Sequence, residues 1–240
     1  MLTLFLVDNL DSSQIIEVTG DEAHHAIKVL RINLGEEILI SDGNGNWVRA
    51  KVENIEKKSF SAKVLERGIQ EQRSPKIIVV QGIPKSDRIK EAIEILVESG
   101  VDLIIPWQAE RSISKWQKDS LRKWQVVASA ATKQSRRFRT TEIIEELSIS
   151  QLLEVESDRS AILVMHESAT KKLSTTVTSK FADLDEIIVV IGPEGGVSEN
   201  ELAQFEAAGA HVVALGPEVF RSAHAGGAAI SAISALIGRW

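Results

Sequence analysis

The sequence predicts an α/β protein in two parts, a small β-rich N-terminal domain over residues 1–70 and a larger domain over residues 74–240 built on a parallel sheet. Two observations support this fold class. From Lys76 onward, short and fully apolar segments alternate with amphipathic helical segments, which is typical of a parallel sheet covered on both faces. Before Lys76, short β-type segments separated by turn residues predict a small antiparallel set.

The N-terminal domain is predicted to contain four strands interrupted by one helix. The turn residues Asp42-Gly43-Asn44-Gly45-Asn46 predict a hairpin, since Asn-Gly and Asp-Gly favour tight turns. A polar cluster before a proline predicts the linker at Ile69–Pro75. The strands are expected at Leu2–Val7, Glu37–Ile40, Trp47–Val52 and Phe60–Leu65, and the helix at Asp21–Leu30.

The larger domain is predicted to alternate strands with helices. In Asp87–Ser99 the apolar residues recur at helical spacing, and Gly100 follows as the residue that ends the helix. Ser198 and Glu201 predict a capping box at the start of a helix that ends at Gly209. The strands are expected at Ile77–Val80, Val101–Ile105, Ala161–Val164, Ile187–Ile191 and His211–Leu215, and a second long helix at Leu121–Ser135.

The last helix begins at Ala225 and has unusually small side chains. The adjacent Gly226 and Gly227 each weaken a helix by roughly 1 kcal/mol, so we expect close backbone packing to offset that cost. The packing partner is expected to be a ligand-binding loop or a second subunit. Ile230, Ile233 and Ile237 share one face and are expected in the core.

The composition excludes several classes of protein. With 43% hydrophobic and 26% charged residues, the 240-residue chain has the balance of an ordinary globular protein. The absence of cysteine excludes disulfides, thiolate zinc sites and cysteine nucleophiles. The apolar N-terminus stops at Asp8, and no apolar run reaches the length of about 20 residues that a membrane span needs, so a cytoplasmic protein is expected. His24 and His25 are adjacent, which suits no single metal ion, and no metal site is expected.

The charge is unevenly distributed. The net charge is −6, yet the segment Arg111–Arg139 contains nine basic residues and one acid, Asp119. A positive patch within an acidic protein favours binding of a polyanion. The alternative is a solvated helix face. The basic residues are Arg111, Lys115, Lys118, Arg122, Lys123, Lys133, Arg136, Arg137 and Arg139.

Two glycine-proline loops carry the strongest functional indication. Gly192-Pro193-Glu194-Gly195-Gly196 follows one predicted strand, and Gly216-Pro217-Glu218 follows the next. The carboxyl ends of parallel strands are where such sheets bind ligands, and glycine lets a backbone approach the ligand closely. Either loop alone could be a simple tight turn, whereas two in tandem favour a ligand site. Neither loop matches the Rossmann dinucleotide or P-loop pattern.

These loops, taken with three further motifs, resemble the ribosomal RNA small subunit methyltransferase E family of the SPOUT superfamily. The resemblance covers nearly the whole chain. The matching motifs are Ile191–Gly196 followed by Ser198-Glu199-x-Glu201, Leu215-Gly216-Pro217-x-x-Phe220-Arg221-Ser222, His25-x-x-x-Val29-Leu30-Arg31, Pro84-Lys85-x-Asp87-Arg88, and Trp124-x-x-x-Ala128-x-x-Ala131-x-x-Gln134-x-x-Arg137.

The resemblance implies a PUA-like β-barrel domain at the N-terminus and a deep trefoil knot in the methyltransferase domain. It further implies a homodimer that uses S-adenosyl-L-methionine to methylate N3 of a uridine near the decoding site of 16S ribosomal RNA. Three loops are then expected to bind the cofactor. Their residues are Met165, His166, Glu167, Ile191, Gly192, Pro193, Glu194, Gly195, Gly196, Leu215, Gly216, Val219, Phe220, Arg221 and Ser222.

Arg221 is the first candidate for catalysis, because a cation there could stabilise negative charge on the uracil carbonyl oxygens. An ion pair is its structural alternative. His224 could relay a proton, as histidine titrates near neutral pH, or could act only as a helix cap. Glu194 could orient the donor or be purely structural.

The sequence departs from the family pattern at two places. The chain has Arg221-Ser222-Ala223-His224 where the family commonly has Arg-Thr-Glu-Thr, and Lys133 replaces an acidic residue.

RNA contacts are expected from basic residues of both domains, since each neutralises a phosphate. They are Arg31, Arg88, Lys133, Gln134, Arg136 and Arg137.

Three other functions compete with uridine N3 methylation as the function of this protein. They are methylation of ribose 2′-oxygens, a non-catalytic RNA-binding assembly factor, and a phosphate-binding metabolic enzyme, which the basic patch disfavours.

Overall fold

The computed structural model describes residues 2–154 and 159–240. The chain divides into two compact units. The N-terminal unit comprises Met1–Gln72 together with Thr132–Thr140, and the C-terminal unit comprises Arg73–Ala131 and Thr141–Trp240. Within the described ranges, no helix is long and apolar enough to cross a membrane.

The N-terminal unit is built on a five-stranded sheet. Its strand order is β1-β3-β4-β5-β2, and all neighbours are antiparallel except β1 and β3. Alternate residues of the long strands face one core that includes Phe5, Ile38, Val48 and Phe60. The strands are β1 (Leu4–Leu6), β2 (Ile15–Val18), β3 (Glu37–Ser41), β4 (Asn46–Ile55) and β5 (Phe60–Ile69).

The helix of this unit differs from the prediction in kind. An α-helix, α1 (Gly20–His24), continues as a π-helix over His25–Leu30 and ends at Arg31, whose φ is +55°. A side chain with positive φ is uncommon outside glycine, asparagine and aspartate. The sequence predicted one regular helix here, because apolar spacing does not distinguish an α-helical turn from a wider π turn.

Residues 132–140, which comprise the end of the helix Ser120–Gln134 and the segment after it, fold with the N-terminal unit. The ring of Phe138 stacks on Trp47 at 5.0 Å. The Phe138 carbonyl accepts hydrogen bonds from Gly45 N (2.9 Å) and Ser41 Oγ (3.0 Å). Arg139 Nε donates to the Gln70 carbonyl at 2.8 Å. These contacts place the segment against the predicted hairpin turn, at a separation that sequence periodicity does not reveal.

The C-terminal unit is built on a six-stranded sheet in the order β11-β9-β10-β6-β7-β8, and every pair is parallel. This confirms the predicted fold class. The strands are β6 (Lys76–Gly82), β7 (Leu103–Trp107), β8 (Glu142–Ile143), β9 (Ser160–Met165), β10 (Glu186–Ile191) and β11 (His211–Val213). The helices are α2 (Ile89–Glu98), α3 (Ser120–Gln134), α4 (Ile149–Glu154), α5 (Leu173–Thr176), α6 (Glu199–Ala207) and α7 (Ser222–Leu236), with 3-10 turns at Ser86–Arg88 and Ser179–Asp183.

Both faces of this sheet are buried, which explains why its strands are continuous apolar runs. Ile77 and Val79 of β6 point to a core that α2, α3 and α7 cover. Ile78 and Val80 point to the opposite core, under α4 and α6. The short elements β2, β8, α4 and α5 were not predicted, because segments of two to six residues carry too little periodicity.

The glycines of α7 face α2. A Cβ on Gly226 would lie 2.5 Å from Leu96 Cδ2, and one on Gly227 would overlap Ile95 Cγ2. The predicted close packing is therefore present, and its nearest partner within the chain is α2. Ile230, Ile233 and Ile237 are buried as expected.

Candidate functional site

The carboxyl ends of the central strands meet at one edge of the parallel sheet. Strand pairing brings Met165 of β9 beside Ile191 of β10, and Ile191 beside Gln81 of β6. The chain leaves the sheet after each strand in an irregular loop. The site is therefore formed from loops that are far apart in sequence, with rigid strands fixing where each begins.

These loops surround a cavity of about 550 Å³. An adjoining cavity of about 70 Å³ shares several lining residues, including Met165, Glu167 and Phe220, and adds Leu215 and Gly216. The structure thus brings all the predicted cofactor residues to these two cavities. Those lining the larger one are Met165, His166, Glu167, Ile191, Gly192, Pro193, Glu194, Gly195, Gly196, Val219, Phe220, Arg221 and Ser222.

The loop after β10 is held tightly by its neighbours. Glu194 Oε1 accepts a hydrogen bond from the Lys85 N–H at 3.0 Å. A Cβ on Gly195 would lie 2.8 Å from Arg111 Cβ, and Gly196 has a φ of +73°. Gly195 is therefore required because Arg111 approaches so closely, and Gly196 is favoured because its backbone has a positive φ. Sequence reasoning identified the loop but not Arg111, which packs on it.

The predicted capping box follows this loop and is confirmed. Ser198 Oγ accepts from Glu201 N at 3.2 Å, and Glu201 Oε2 accepts from Ser198 N at 2.9 Å. The buried Glu201 carboxylate also accepts from Glu110 N at 2.7 Å. It therefore joins the loop after β10 to the loop after β7.

The loop after β11 is exposed. Residues 217–221 lie largely in solvent, and the Val219 side chain is 77% exposed. The Arg221 side chain lines the larger cavity and has no hydrogen-bond or ion-pair partner within the described ranges. Arg221 is also the N-cap residue of α7, with no side-chain capping bond.

A buried glutamine links two of these loops, and sequence reasoning missed it. Gln81 lies at the end of β6 and donates through Nε2 to Ser222 Oγ at 3.3 Å. Ser222 Oγ in turn donates to the Gly192 carbonyl at 2.6 Å. The start of α7 is thereby tied to the loop after β10. A polar residue inside an otherwise apolar strand was the available sequence indication.

His224 does not line either cavity among the described residues. Its Nε2 lies 2.9 Å from Glu91 Oε1, and Arg88 Nη1 lies 2.9 Å from Glu91 Oε2. The hydrogen bond from His224, and then that from Arg88, lower the pKa of the Glu91 carboxyl below its ordinary value. The same carboxylate raises the pKa of Arg88. This cluster ties the start of α7 to α2.

The residues predicted to bind RNA divide between the two units. Arg88 lines the larger cavity in the C-terminal unit. The others belong to the N-terminal unit, namely Arg31, Lys133, Gln134, Arg136 and Arg137. Lys133 forms an ion pair with Glu22 there. The lysine that replaces the family's acidic residue at this position therefore has an ion-pair partner in the same unit.

Two family models match the chain. Residues 71–234 match an RNA methyltransferase domain, and residues 18–65 match an RNA methyltransferase PUA domain. The ribosomal RNA small subunit methyltransferase E of Mycobacterium bovis is 37% identical over 99% of this chain and 93% of its own length. The chain belongs to the ribosomal RNA small subunit methyltransferase E family. The same enzyme of Bacillus subtilis is 28% identical, over 94% of this chain and 91% of its own length.

Two solved structures share the fold of the whole chain. The methyltransferase E of Neisseria gonorrhoeae bound to S-adenosyl methionine has a TM-score of 0.89 and 27% identity over 98% of both chains. A putative methyltransferase of Legionella pneumophila, in complex with the same cofactor, has a TM-score of 0.85 and 25% identity over 98% of both chains. Within residues 2–154 and 159–240, no group of three or more histidine, aspartate and glutamate residues is arranged to hold a metal ion.

Proposed function

We propose that this member of the methyltransferase E family transfers a methyl group from S-adenosyl-L-methionine to N3 of a uridine in 16S ribosomal RNA near the decoding site. The observation that supports this most strongly is the cavity, lined by the same three loops that the sequence motifs marked for the cofactor. We further propose that it acts in the cytoplasm as a homodimer on ribosomal RNA or the assembled small subunit. Residues 1–70 would form the PUA-like domain and residues 74–240 the SPOUT domain with its knot.

The residues present suit S-adenosyl-L-methionine. A cavity of about 550 Å³ falls within the usual range for small-molecule sites. Its glycine loop exposes main-chain groups, because Gly195 and Gly196 carry no side chains to cover them. Met165, Ile191 and Phe220 add apolar surface, and Glu167 and Glu194 add negative charge near a cationic ligand. We assign the cofactor to the loops after β9, β10 and β11.

When bound, S-adenosyl-L-methionine supplies a methyl group already activated by its positive sulfur. The protein must therefore position the uridine and stabilise the charge that develops on it. Arg221 is suited to the second task, since this residue lines the cavity and its side chain has no hydrogen-bond or ion-pair partner in the described parts of the chain. A donor held ready in a site of this kind stabilises charge on a carbonyl oxygen more strongly than water does.

Glu194 has a different role, because one carboxylate oxygen already accepts the Lys85 N–H. We assign it to orienting the loop after β10 around the donor. The proton relay predicted for His224 remains a hypothesis, and it would require the ring to leave Glu91.

RNA binding would use Arg31, Arg88, Lys133, Gln134, Arg136 and Arg137. Each phosphate contact that is lost should reduce the salt slope of binding by about 0.7 to 0.9. Arg31→Ala and Arg136→Ala test this best, because Lys133→Ala would also break the ion pair with Glu22. Unchanged affinity and salt slope in both variants would remove these residues from the interface.

The direct test uses unmodified small ribosomal subunits and S-adenosyl-L-methionine with a labelled methyl group. Mass spectrometry of the digested RNA then locates the label. We expect it on the base of one uridine, at N3. Label on a ribose 2′-oxygen would contradict the proposed position, and no label with intact cofactor binding would indicate a non-catalytic RNA-binding protein.

A further inference from the structure

Three carboxylates line the larger cavity, and two of them are already engaged. Asp87 lies 3.7 Å from Arg88 Nε. Glu194 accepts the Lys85 N–H at 3.0 Å. Glu167 is the third, and within the described ranges it has no hydrogen-bond or ion-pair partner. Glu218 lines only the smaller cavity. Of the three, Glu167 is therefore the one whose two carboxylate oxygens both lack a partner in the described parts of the chain.

Glu167 lies where the two cavities adjoin. It follows β9 and lines both the larger and the smaller cavity. Its Oε1 lies 4.0 Å from where a Cβ on Gly196 would be. The carboxylate thus faces the glycine loop, where the φ of +73° at Gly196 favours a residue without a side chain.

The reaction at uridine N3 requires an acceptor for one proton. The imide nitrogen is a poor nucleophile while protonated, and a positioned base accelerates such steps by about 10² to 10⁴. His224 is bonded to Glu91 outside the cavity lining. The Nδ1 atom of His166 accepts the Ser168 N–H at 3.2 Å. Among these groups Glu167 combines a place in the cavity with an unoccupied acceptor.

On the basis of the proposed function, we propose that Glu167 is the general base that accepts the N3 proton of the uridine. The bond between N3 and the methyl carbon forms as the bond between that carbon and the donor sulfur breaks. The proton leaves N3 for a carboxylate oxygen of Glu167. The positive charge of the sulfonium and the negative charge of the carboxylate are lost together, so no net charge is created in the cavity.

Arg221 complements Glu167 in this arrangement. Both line the larger cavity, both lack partners in the described parts of the chain, and their charges are opposite. The guanidinium would stabilise charge on the uracil carbonyl oxygens while the carboxylate removes the proton. In this arrangement the acid comes from the loop after β9, whereas Ala223 stands where the family commonly has a glutamate.

The test compares Glu167→Gln and Glu167→Asp with the wild-type protein, using full-length chains and unmodified small subunits. Single-turnover rates are measured at saturating S-adenosyl-L-methionine, and cofactor affinity is measured separately by calorimetry. We expect Glu167→Gln to reduce the rate by about 100-fold or more while affinity changes less than about threefold, and Glu167→Asp to retain an intermediate rate. Glu206→Gln, which neutralises an exposed glutamate of α6 outside both cavities, is the matched control and should change neither quantity.

Two results would overturn the assignment. One is a Glu167→Gln rate within about threefold of the wild type. The other is a loss of cofactor affinity of about tenfold or more, with the full rate restored at saturation, which would make Glu167 a binding residue. If the wild type itself placed no methyl group on uridine N3, the proposed function would fail and the inference with it. An active wild type with an equally active Glu167→Gln would overturn the inference alone.

Discussion

The chain contains the tripeptide Gly-Pro-Glu twice, and the two copies have opposite environments. Residues 192–194 are packed and bonded on several sides, with Pro193 buried and Glu194 accepting the Lys85 N–H. Residues 216–218 lie toward solvent with no hydrogen bond in the described parts of the chain. Identical residues at equivalent strand ends therefore form two different loops. Residues 192–194 form a packed loop, called the cradle below, and residues 216–218 form an exposed loop, called the rim.

The helices that follow the two loops differ in the same way. α6 begins with a complete capping box, whereas α7 begins at Arg221 without a side-chain cap. We conclude that neighbouring residues fix the shape of the first loop, whereas the second loop presents exposed side chains, including Arg221, beside the cavity.

Removal of the Arg221 side chain should have the largest effect on function. We expect Arg221→Ala to lower the single-turnover rate by about 10² to 10³, the usual loss for one electrostatic donor. The thermal midpoint should hardly change, because Arg221 is exposed and unpartnered in the described parts of the chain. Arg221→Lys keeps the charge and serves as the control. A full rate in Arg221→Ala would remove the second loop from the chemistry.

Loss of Glu201 should destabilise the first loop. Glu201→Ala removes the acceptor of two backbone N–H groups, that of Ser198, which is buried, and that of Glu110, which is partly buried. Hydrogen bonds to charged groups contribute about 1.5 to 3 kcal/mol each. We expect a decrease of at least about 2 kcal/mol in the free energy of unfolding, measured with urea. Glu199→Ala, on the exposed side of the same helical turn, is the control. Equal stability of the two variants would show that the capping box does not hold the loop.

A matched pair of glycine substitutions compares the two loops directly. A Cβ on Gly192 would lie 2.9 Å from Val197 Cγ2 and 3.1 Å from Val197 N, whereas one on Gly216 meets nothing closer than Glu218 Oε2 at 3.6 Å. Gly192→Ala should cost about 1 to 3 kcal/mol of stability, as overpacking usually does. Gly216→Ala should stay within about 0.5 kcal/mol, because the added Cβ meets only ordinary van der Waals contact. Urea unfolding of both variants measures this, and equal losses would contradict the cradle-and-rim comparison.

The smallest effect concerns the Glu91 contact that ties α7 to α2. The pKa of Glu91 in the folded protein is below its ordinary value of 4.5, first because of His224 and then because of Arg88. This stabilisation is therefore complete above that value and is lost as the pH falls through the lowered pKa. Thermal midpoints should fall more steeply for the wild type than for Glu91→Gln below about pH 4.5. Parallel curves would show that the contact contributes nothing.

The sequence predicted features that depend on neighbouring residues or on regular spacing. The capping box at Ser198 and Glu201 was predictable because it is encoded within four residues. The strands of the parallel sheet were predictable because both of their faces are apolar. The family motifs also located the cofactor loops, which no periodicity indicates.

Features that depend on distant contacts could not be predicted. Phe138 stacks on Trp47 across a long stretch of sequence, so the placement of residues 132–140 had no local indication. The glycines of α7 predicted close packing but not that α2 is the partner. The two Gly-Pro-Glu loops had equal weight in the sequence, and their difference appears only with Arg111, Lys85 and Ser222 in place around the first.

The central claim is that the loops after β9, β10 and β11 hold S-adenosyl-L-methionine, and a crystal structure with the cofactor bound tests it most directly. We predict that the molecule lies in the larger cavity against the backbone of residues 192–196, with Arg221 and Glu167 facing its methyl group. A cofactor seated outside these loops, with residues 192–196 uncontacted, would contradict the account.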